Sequence, residues 1–181
     1  MLAATAGLAA ATARAGDIIC LEAESAQTVQ PPMESVTVAG NATVQARKGM
    51  PEVSGGAFLQ IAEGKGNPPK LNTGEADYTF VVQTAGQYFL WCRVWWEGEC
   101  SNSFSMSLDG NTPFVFGEDG TYNAWHWVQA PKGLKQLNLT VGRHTLRIMN
   151  REDGVGLDQI LLTDSKRVVP VGIQDVTATA P

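Results

Sequence analysis

From Ile18 onward the chain is cut into short runs in which apolar and polar residues alternate, and most of these runs end at a glycine. In Asn102 to Leu108 ("NSFSMSL"), Phe104, Met106 and Leu108 fall on one side, and Ser103, Ser105 and Ser107 on the other. Ala76 to Gln83 sets Tyr78, Phe80 and Val82 on one face. Gln87 to Trp96 sets Tyr88, Leu90, Cys92 and Val94 against Phe89, Trp91, Arg93 and Trp95. A period of two belongs to β-strands, whose successive side chains point to opposite faces. Asp17–Glu24, Ser35–Ala39, Ala57–Ala62, Ala124–Gln129, Leu134–Thr140, Arg143–Asn150 and Leu157–Thr163 read the same way. Ala85-Gly86, Asp109-Gly110 and Val141-Gly142 supply turns between them. After the first fifteen residues no window of eleven or more carries apolar residues at helical spacing. Eight or more short strands with no helical crossover predict an all-β chain, an antiparallel β-sandwich of the jelly-roll kind; an up-and-down barrel is the alternative.

Residues 1–15 differ in kind. Leu2 to Thr12 is rich in Ala and Leu, and Ala13-Arg14-Ala15 fits a signal-peptidase site before Gly16. No basic residue precedes the apolar run, which is unusual for a signal peptide. The run is too short to span a bilayer. The expected organisation is a signal peptide over 1–15, one β-sandwich over 16–171, and a tail or linker over 172–181. The protein is then secreted, periplasmic or at the cell surface, with no membrane span in the mature chain. Its 181 residues suit a single domain, and 44% hydrophobic against 17% charged residues is enough apolar material for a core. A net charge of -5 with no Lys/Arg run argues against nucleic acid and anionic membranes as partners.

Catalysis has no positive signal. There is no G-x-S-x-G elbow and no H-E-x-x-H pair. Glu97, Glu99, Glu118, Asp119, Glu152 and Asp153 lie in loops and could supply a glycosidase pair, but acidic loop residues are more often plain solvated charge. The reading is therefore non-catalytic. Three cysteines, Cys20, Cys92 and Cys100, allow three disulfide pairings. The Cys92–Cys100 pair, which brackets one loop, is slightly favoured.

Two features point to binding. Glu22 and Glu24 are two residues apart on the first strand and so share a face; Asp158 starts the last strand. If those strands are neighbours, three carboxylates meet, and hard oxygen ligands suit Ca²⁺. All five tryptophans fall in two short segments, Trp91, Trp95 and Trp96 in one and Trp125 and Trp127 in the other. Trp95 and Trp96 are adjacent and must point to opposite faces. Flat aromatic surfaces beside polar groups suit the faces and hydroxyls of sugar rings.

"LEAES" near the start, "ADYTF" followed by "AGQYFLWCRVW", and "GRHTLRI" leading to "LDQILLT" follow the layout of galactose-binding-like carbohydrate-binding modules of families six and thirty-five and of malectin-like domains. The resemblance covers about Ile18 to Pro170. It implies a galactose-binding-like sandwich with a structural Ca²⁺ tying the first strand to the last, with Glu22, Glu24 and Asp158 at the side-chain ligand positions. It also implies a polysaccharide or oligosaccharide ligand, and a fused or associated catalytic domain as partner. Sugar sites in that family lie in loops at one end of the sandwich or on a concave sheet face. On the loop reading, Trp96, Asn102, Tyr122, Trp125 and Arg151 are the candidates for stacking and hydrogen bonding. Two other readings stand beside this one: a structural or adhesive cell-surface module without sugar affinity, and a small polysaccharide-degrading jelly-roll enzyme.

Overall fold

The computed structural model describes residues 17–65, 74–131 and 137–177. The expected signal peptide lies outside them. Among the described residues twelve strands run in chain order: β1 (Ile18–Glu22), β2 (Thr28–Val29), β3 (Met33–Thr37), β4 (Ala57–Ile61), β5 (Glu75–Val82), β6 (Gly86–Trp96), β7 (Ser103–Leu108), β8 (Phe114–Gly117), β9 (His126–Gln129), β10 (Leu137–Leu139), β11 (Gly142–Met149) and β12 (Val155–Thr163). They form two antiparallel sheets, as the alternation predicts. One has seven strands, in the order β10-β6-β12-β4-β3, with β1 added on β12 and β9 on β6. The other has five, in the order β2-β5-β11-β7-β8. The barrel alternative is ruled out by this separation into two sheets.

The residues assigned to inner faces pack between the sheets. Tyr78, Phe80, Val82, Tyr88, Leu90, Cys92, Val94, Phe104, Met106 and Leu108 all belong to one core cluster. A second, smaller cluster lies elsewhere: Val36, Val44, Met50, Phe58 and Trp95, with Trp125 packed against it. It forms where residues 38–56, including the short helix α1 (Ala42–Gln45), cover the outer side of the seven-stranded sheet. Asn41 caps that helix, its side chain accepting from the Val44 N–H at 3.1 Å. With both faces covered, every residue of β12 is buried.

Several boundaries differ from the sequence reading. The first strand stops at Glu22, and Glu24 sits in a 3₁₀ turn over Ala23–Ser25. The strand expected from Ala124 begins at His126, and β2, β8 and α1 were not anticipated. Residues 172–177 are no free tail. The Trp127 indole donates to Gly172 O at 2.8 Å, Gln159 and Gln174 exchange two hydrogen bonds, and Thr177 N–H donates to Cys20 O at 3.0 Å. The three cysteines are unbridged, with Cys20 and Cys92 buried and Cys100 exposed, so the favoured Cys92–Cys100 pairing is not formed. Burial, aided by the charges of Glu22, Asp158 and Asp175, pushes the Cys20 thiol up to about 12 and keeps it uncharged. Among the described residues no helix is long and apolar enough to cross a membrane.

Candidate functional site

β1 and β12 are antiparallel neighbours, with Glu22 opposite Gln159. One edge of β12 is shared: β4 pairs with Val155–Leu157, and β1 takes over from Gln159. The register on β6 also shifts between Leu157 and Gln159. Asp158 is the residue at this irregularity, and such bulges re-aim a side chain. It is wholly buried.

Ser54 joins the two strands' carboxylates. Its N–H donates to Asp158 Oδ1 at 2.9 Å and its hydroxyl to Glu22 Oε1 at 2.5 Å. Glu24 arrives from the 3₁₀ turn rather than from the strand, yet it reaches the same place. A Cβ on Gly55 would run into Glu24 Oε1 and lie 3.7 Å from Glu22 Cδ. Gly55 also has φ +58°, a conformation that favours glycine. Glu22 Oε2 and Glu24 Oε2 are both buried without a hydrogen-bond partner. Burial first, then the charges of Glu22 and Asp158, raise the Glu24 carboxyl to about 7, against the pull of its own backbone N–H. Burial also raises Asp158, to about 6, although Arg93 and the Ser54 N–H hold it down.

Arg93 is the fourth member. It donates to Asp158 Oδ2 at 2.6 Å and to Glu52 O at 3.0 Å. Its guanidinium carbon lies 5.5 Å from the centre of the Trp125 ring. One guanidinium thus faces three carboxyl groups. Among the described residues no group of three or more His, Cys, Asp and Glu side chains is placed so that it could hold a metal ion as it stands, and Asp158 is bonded to Arg93 and Ser54. In charge, in hard oxygen donors and in two orphaned carboxylate oxygens the cluster nevertheless fits a divalent cation such as Ca²⁺.

The loops that carry the candidates Asn102 and Arg151 meet, together with the segment through Glu118 and Asp119. Asn102 N–H donates to Glu152 Oε2 at 3.0 Å and its amide to Asp119 O at 3.0 Å. Arg151 is tied to Glu152, to the Ser103 hydroxyl and to Glu118. Asn123 N–H donates to Trp96 O at 2.8 Å. Trp96 itself has no exposed surface and packs on Phe104 under these loops. That corrects its assignment as a stacking platform: it is the floor. Asn102 is likewise buried and spent on holding loops together. Tyr122 is half-buried against the main core. Trp125 lies apart from them, in the second cluster, with its indole N–H on Met50 O at 3.0 Å.

A different feature was missed. The outer face of the five-stranded sheet carries a cleft of about 520 Å³. Asp77 and Thr79 of β5, Ser107 of β7 and Thr145 and Arg147 of β11 line it, and the turn through Gly110 and Asn111 walls one side. Arg147 grips Asp77 through Nε at 2.7 Å and Nη2 at 3.0 Å. The sequence signal was present: these are the polar partners of the inward residues in "ADYTF" and "RHTLRIM".

No protein-family model matches the sequence, and no curated protein matches it. Solved structures do. The chain is similar to the Podospora anserina GH26-CBM35 β-(1,4)-mannanase, with 19% identity and a TM-score of 0.61 over 87% of this chain and 29% of that one. It is similar to a family 35 carbohydrate-binding module from Clostridium thermocellum, with 16% identity and a TM-score of 0.53, covering 79% of this chain and 96% of the module. The C-terminal CBM6 of a Zobellia galactanivorans laminarinase gives 17% identity and a TM-score of 0.53, covering 81% and 99%. The chain thus spans less than a third of the mannanase and nearly all of each isolated module. It has the galactose-binding-like sandwich fold of family 6 and 35 carbohydrate-binding modules.

Proposed function

We propose that this chain is a non-catalytic carbohydrate-binding module of an exported protein. The observation that carries the reading is the cleft on the five-stranded sheet, where neighbouring strands turn hydroxyl, amide and charged groups outward around an open volume. Convergent polar groups in a pocket of several hundred Å³ are what an oligosaccharide segment needs for orientation. The modules of the same fold bring the ligand class. The mannanase likeness adds a partner, since there the matching region is part of a longer enzyme; a fused or associated glycan-degrading domain is the corresponding proposal here.

Calcium belongs to the proposal. Glu22, Glu24 and Asp158 would hold it, next to Ser54 and Gly55. The ion would neutralise the clustered carboxylates and pin the first strand to the last. A second reading for the sugar surface is an aromatic one, because Tyr122 beside the loops and Trp125 on the outer side of the seven-stranded sheet are both only half-buried. Titration calorimetry of the whole chain in calcium against the glycans retained from a broad array tests the function. Binding to one glycan class is the expected result. No heat and no array signal would favour a structural or adhesive module, and product release from a glycan would favour the enzyme.

A further inference from the structure

We infer that the cleft on the five-stranded sheet selects neutral glycan chains and turns away uronate-bearing and sulfated ones, through the Asp77–Arg147–Glu75 network at its floor. The inference rests on the module reading above and deepens it. Among the described residues Arg147 is the one cation lining the cleft, and all three of its nitrogens face carboxylates. Nε and Nη2 lie on Asp77 at 2.7 and 3.0 Å, and Nη1 lies 3.3 Å from Glu75 Oε2. Glu75 is buried, so its carboxylate is held in place beneath the guanidinium. Glu75 does not itself line the cleft, but with its carboxylate on Nη1 two carboxylates stand against one guanidinium, an excess negative charge at the floor. Arg143, two places earlier on the same face of β11, does not line the cleft.

The consequence follows from donor and acceptor chemistry. An anionic sugar needs an uncommitted cation or an array of free N–H donors, whereas Arg147 has spent its planar fork on Asp77. Bringing a second anion to this floor sets like charges together in a partly desolvated cleft, a repulsive element that excludes the wrong ligand. A neutral sugar meets the opposite situation. Asp77 accepts from Arg147 and, at 2.9 Å, from the Thr28 hydroxyl. A carboxylate has about four acceptor sites, so Asp77 keeps capacity for a sugar hydroxyl. The Thr79 and Thr145 hydroxyls and the Asn111 amide line the same space and both donate and accept. The hydrogen bond from Arg147 keeps Asp77 below the usual carboxylate range, against the effect of its partial burial. The negative charge therefore persists at neutral pH.

The test uses the whole chain and two sets of probes: neutral β-1,4-mannan, β-1,4-xylan, β-1,4-glucan and β-1,3-glucan oligosaccharides, and oligogalacturonates with a sulfated glycan. Affinity is measured by calorimetry and the surface located by amide chemical shifts. Neutral chains should bind with shifts at Thr79, Asn111 and Thr145, and anionic chains at least tenfold more weakly. Asp77→Asn removes the excess charge while Glu75 still holds Arg147; it should narrow that ratio several-fold. Thr79→Trp, which fills the cleft from an outward strand position, should abolish neutral binding with the fold intact. Anionic chains binding as well as neutral ones, shifts gathered around Tyr122 instead, or full affinity in Thr79→Trp would each overturn the inference and leave the module reading standing. Absence of binding to every probe would instead overturn the module reading, and the inference with it.

Discussion

Arg93 reaches Asp158 at 2.6 Å in a place where the two side chains keep 8% and 0% of their surface exposed. The pair sits at the irregularity in β12, beside Glu22 and Glu24, and carries Trp125 on its other side. Removing one partner of such a buried pair leaves a charge without compensation, which costs about 3–5 kcal/mol. Arg93→Met should therefore lower the unfolding free energy by that order in chelator. With calcium present the loss should be smaller, because a divalent ion can take over the neutralisation of Asp158. Urea unfolding of wild type and variant, each in chelator and in calcium, reads both numbers. An equal loss in the two conditions would separate Arg93 from the metal.

Calcium should stabilise the fold by mass action. An ion bound only by the native state contributes about 2.7 kcal/mol at a hundredfold excess over its dissociation constant. Chelation should therefore lower the melting temperature of the wild type. The double change Glu24→Ala and Asp158→Ala should remove that response. Gly55→Ala should weaken it, since the added Cβ meets Glu24 Oε1 and the residue's φ of +58° disfavours a side chain. Identical melting curves with and without calcium would leave Glu22, Glu24 and Asp158 as a cluster without an ion.

Much of the sandwich was legible because a period of two maps directly onto the two faces of a strand. Phe104, Met106 and Leu108 needed no tertiary information to be assigned inward. The pairing of the first strand with the last did not follow from that period; the resemblance to carbohydrate-binding modules implied it, and β1 does pair with β12. The bulge at Asp158 was not legible, since it arises where β4 leaves β12 and β1 joins it. Nor was Glu24 in its 3₁₀ turn, where the strand rule no longer applies. The tryptophans show the limit most clearly. That Trp95 and Trp96 face opposite ways followed from adjacency. That both are buried did not, because the outer face is covered by residues 38–56, a segment with no strand period over most of its length. Ser54, Gly55 and Arg93 were missed because their roles depend on contacts 32 to 104 residues apart in sequence.

His144 gives a pH dependence whose direction is set by geometry. Its Nδ1 lies 2.7 Å from Asp109 Oδ2 and its Nε2 lies 2.9 Å from Thr140 O. Both neighbours are acceptors, so both nitrogens can donate only in the imidazolium. Burial pulls the His144 value down, but Asp109 and the Thr140 carbonyl raise it above the ordinary range. Burial pushes Asp109 up, and the Thr145 N–H and His144 bring it below the usual carboxylate range. A raised histidine contributes stability fully below its unfolded value of about 6.5 and loses it as pH rises through the folded value. A lowered aspartate contributes above about 3.9 and loses it as pH falls further. The pair should stabilise most at mildly acidic pH. His144→Gln should flatten the alkaline side of that profile in urea titrations between about pH 5 and 8. Parallel profiles for wild type and variant would show that the imidazolium does not form.

Trp96 and Trp125 separate the two surfaces proposed for sugar. Trp96 is wholly buried, its ring 5.5 Å from Phe104 and 6.3 Å from His126. Trp96→Ala should cost about 3–5 kcal/mol of stability, as large-to-small changes of buried aromatics do. Trp125 is half-buried, edge-on to Phe58 at 5.4 Å and to Trp95 at 5.7 Å, and its N–H donates to Met50 O. Trp125→Ala should cost on the order of 2 kcal/mol of stability, from lost apolar burial and one hydrogen bond. If glycan sits in the cleft of the five-stranded sheet, its affinity should stay within a factor of two in Trp125→Ala, because that ring packs on the other sheet. A loss of roughly 1–3 kcal/mol in binding, the scale of uncovering such a side chain, would place the sugar against Trp125, on the outer side of the seven-stranded sheet. Calorimetry below the variant's melting temperature, with circular dichroism to verify the fold, decides between the two surfaces.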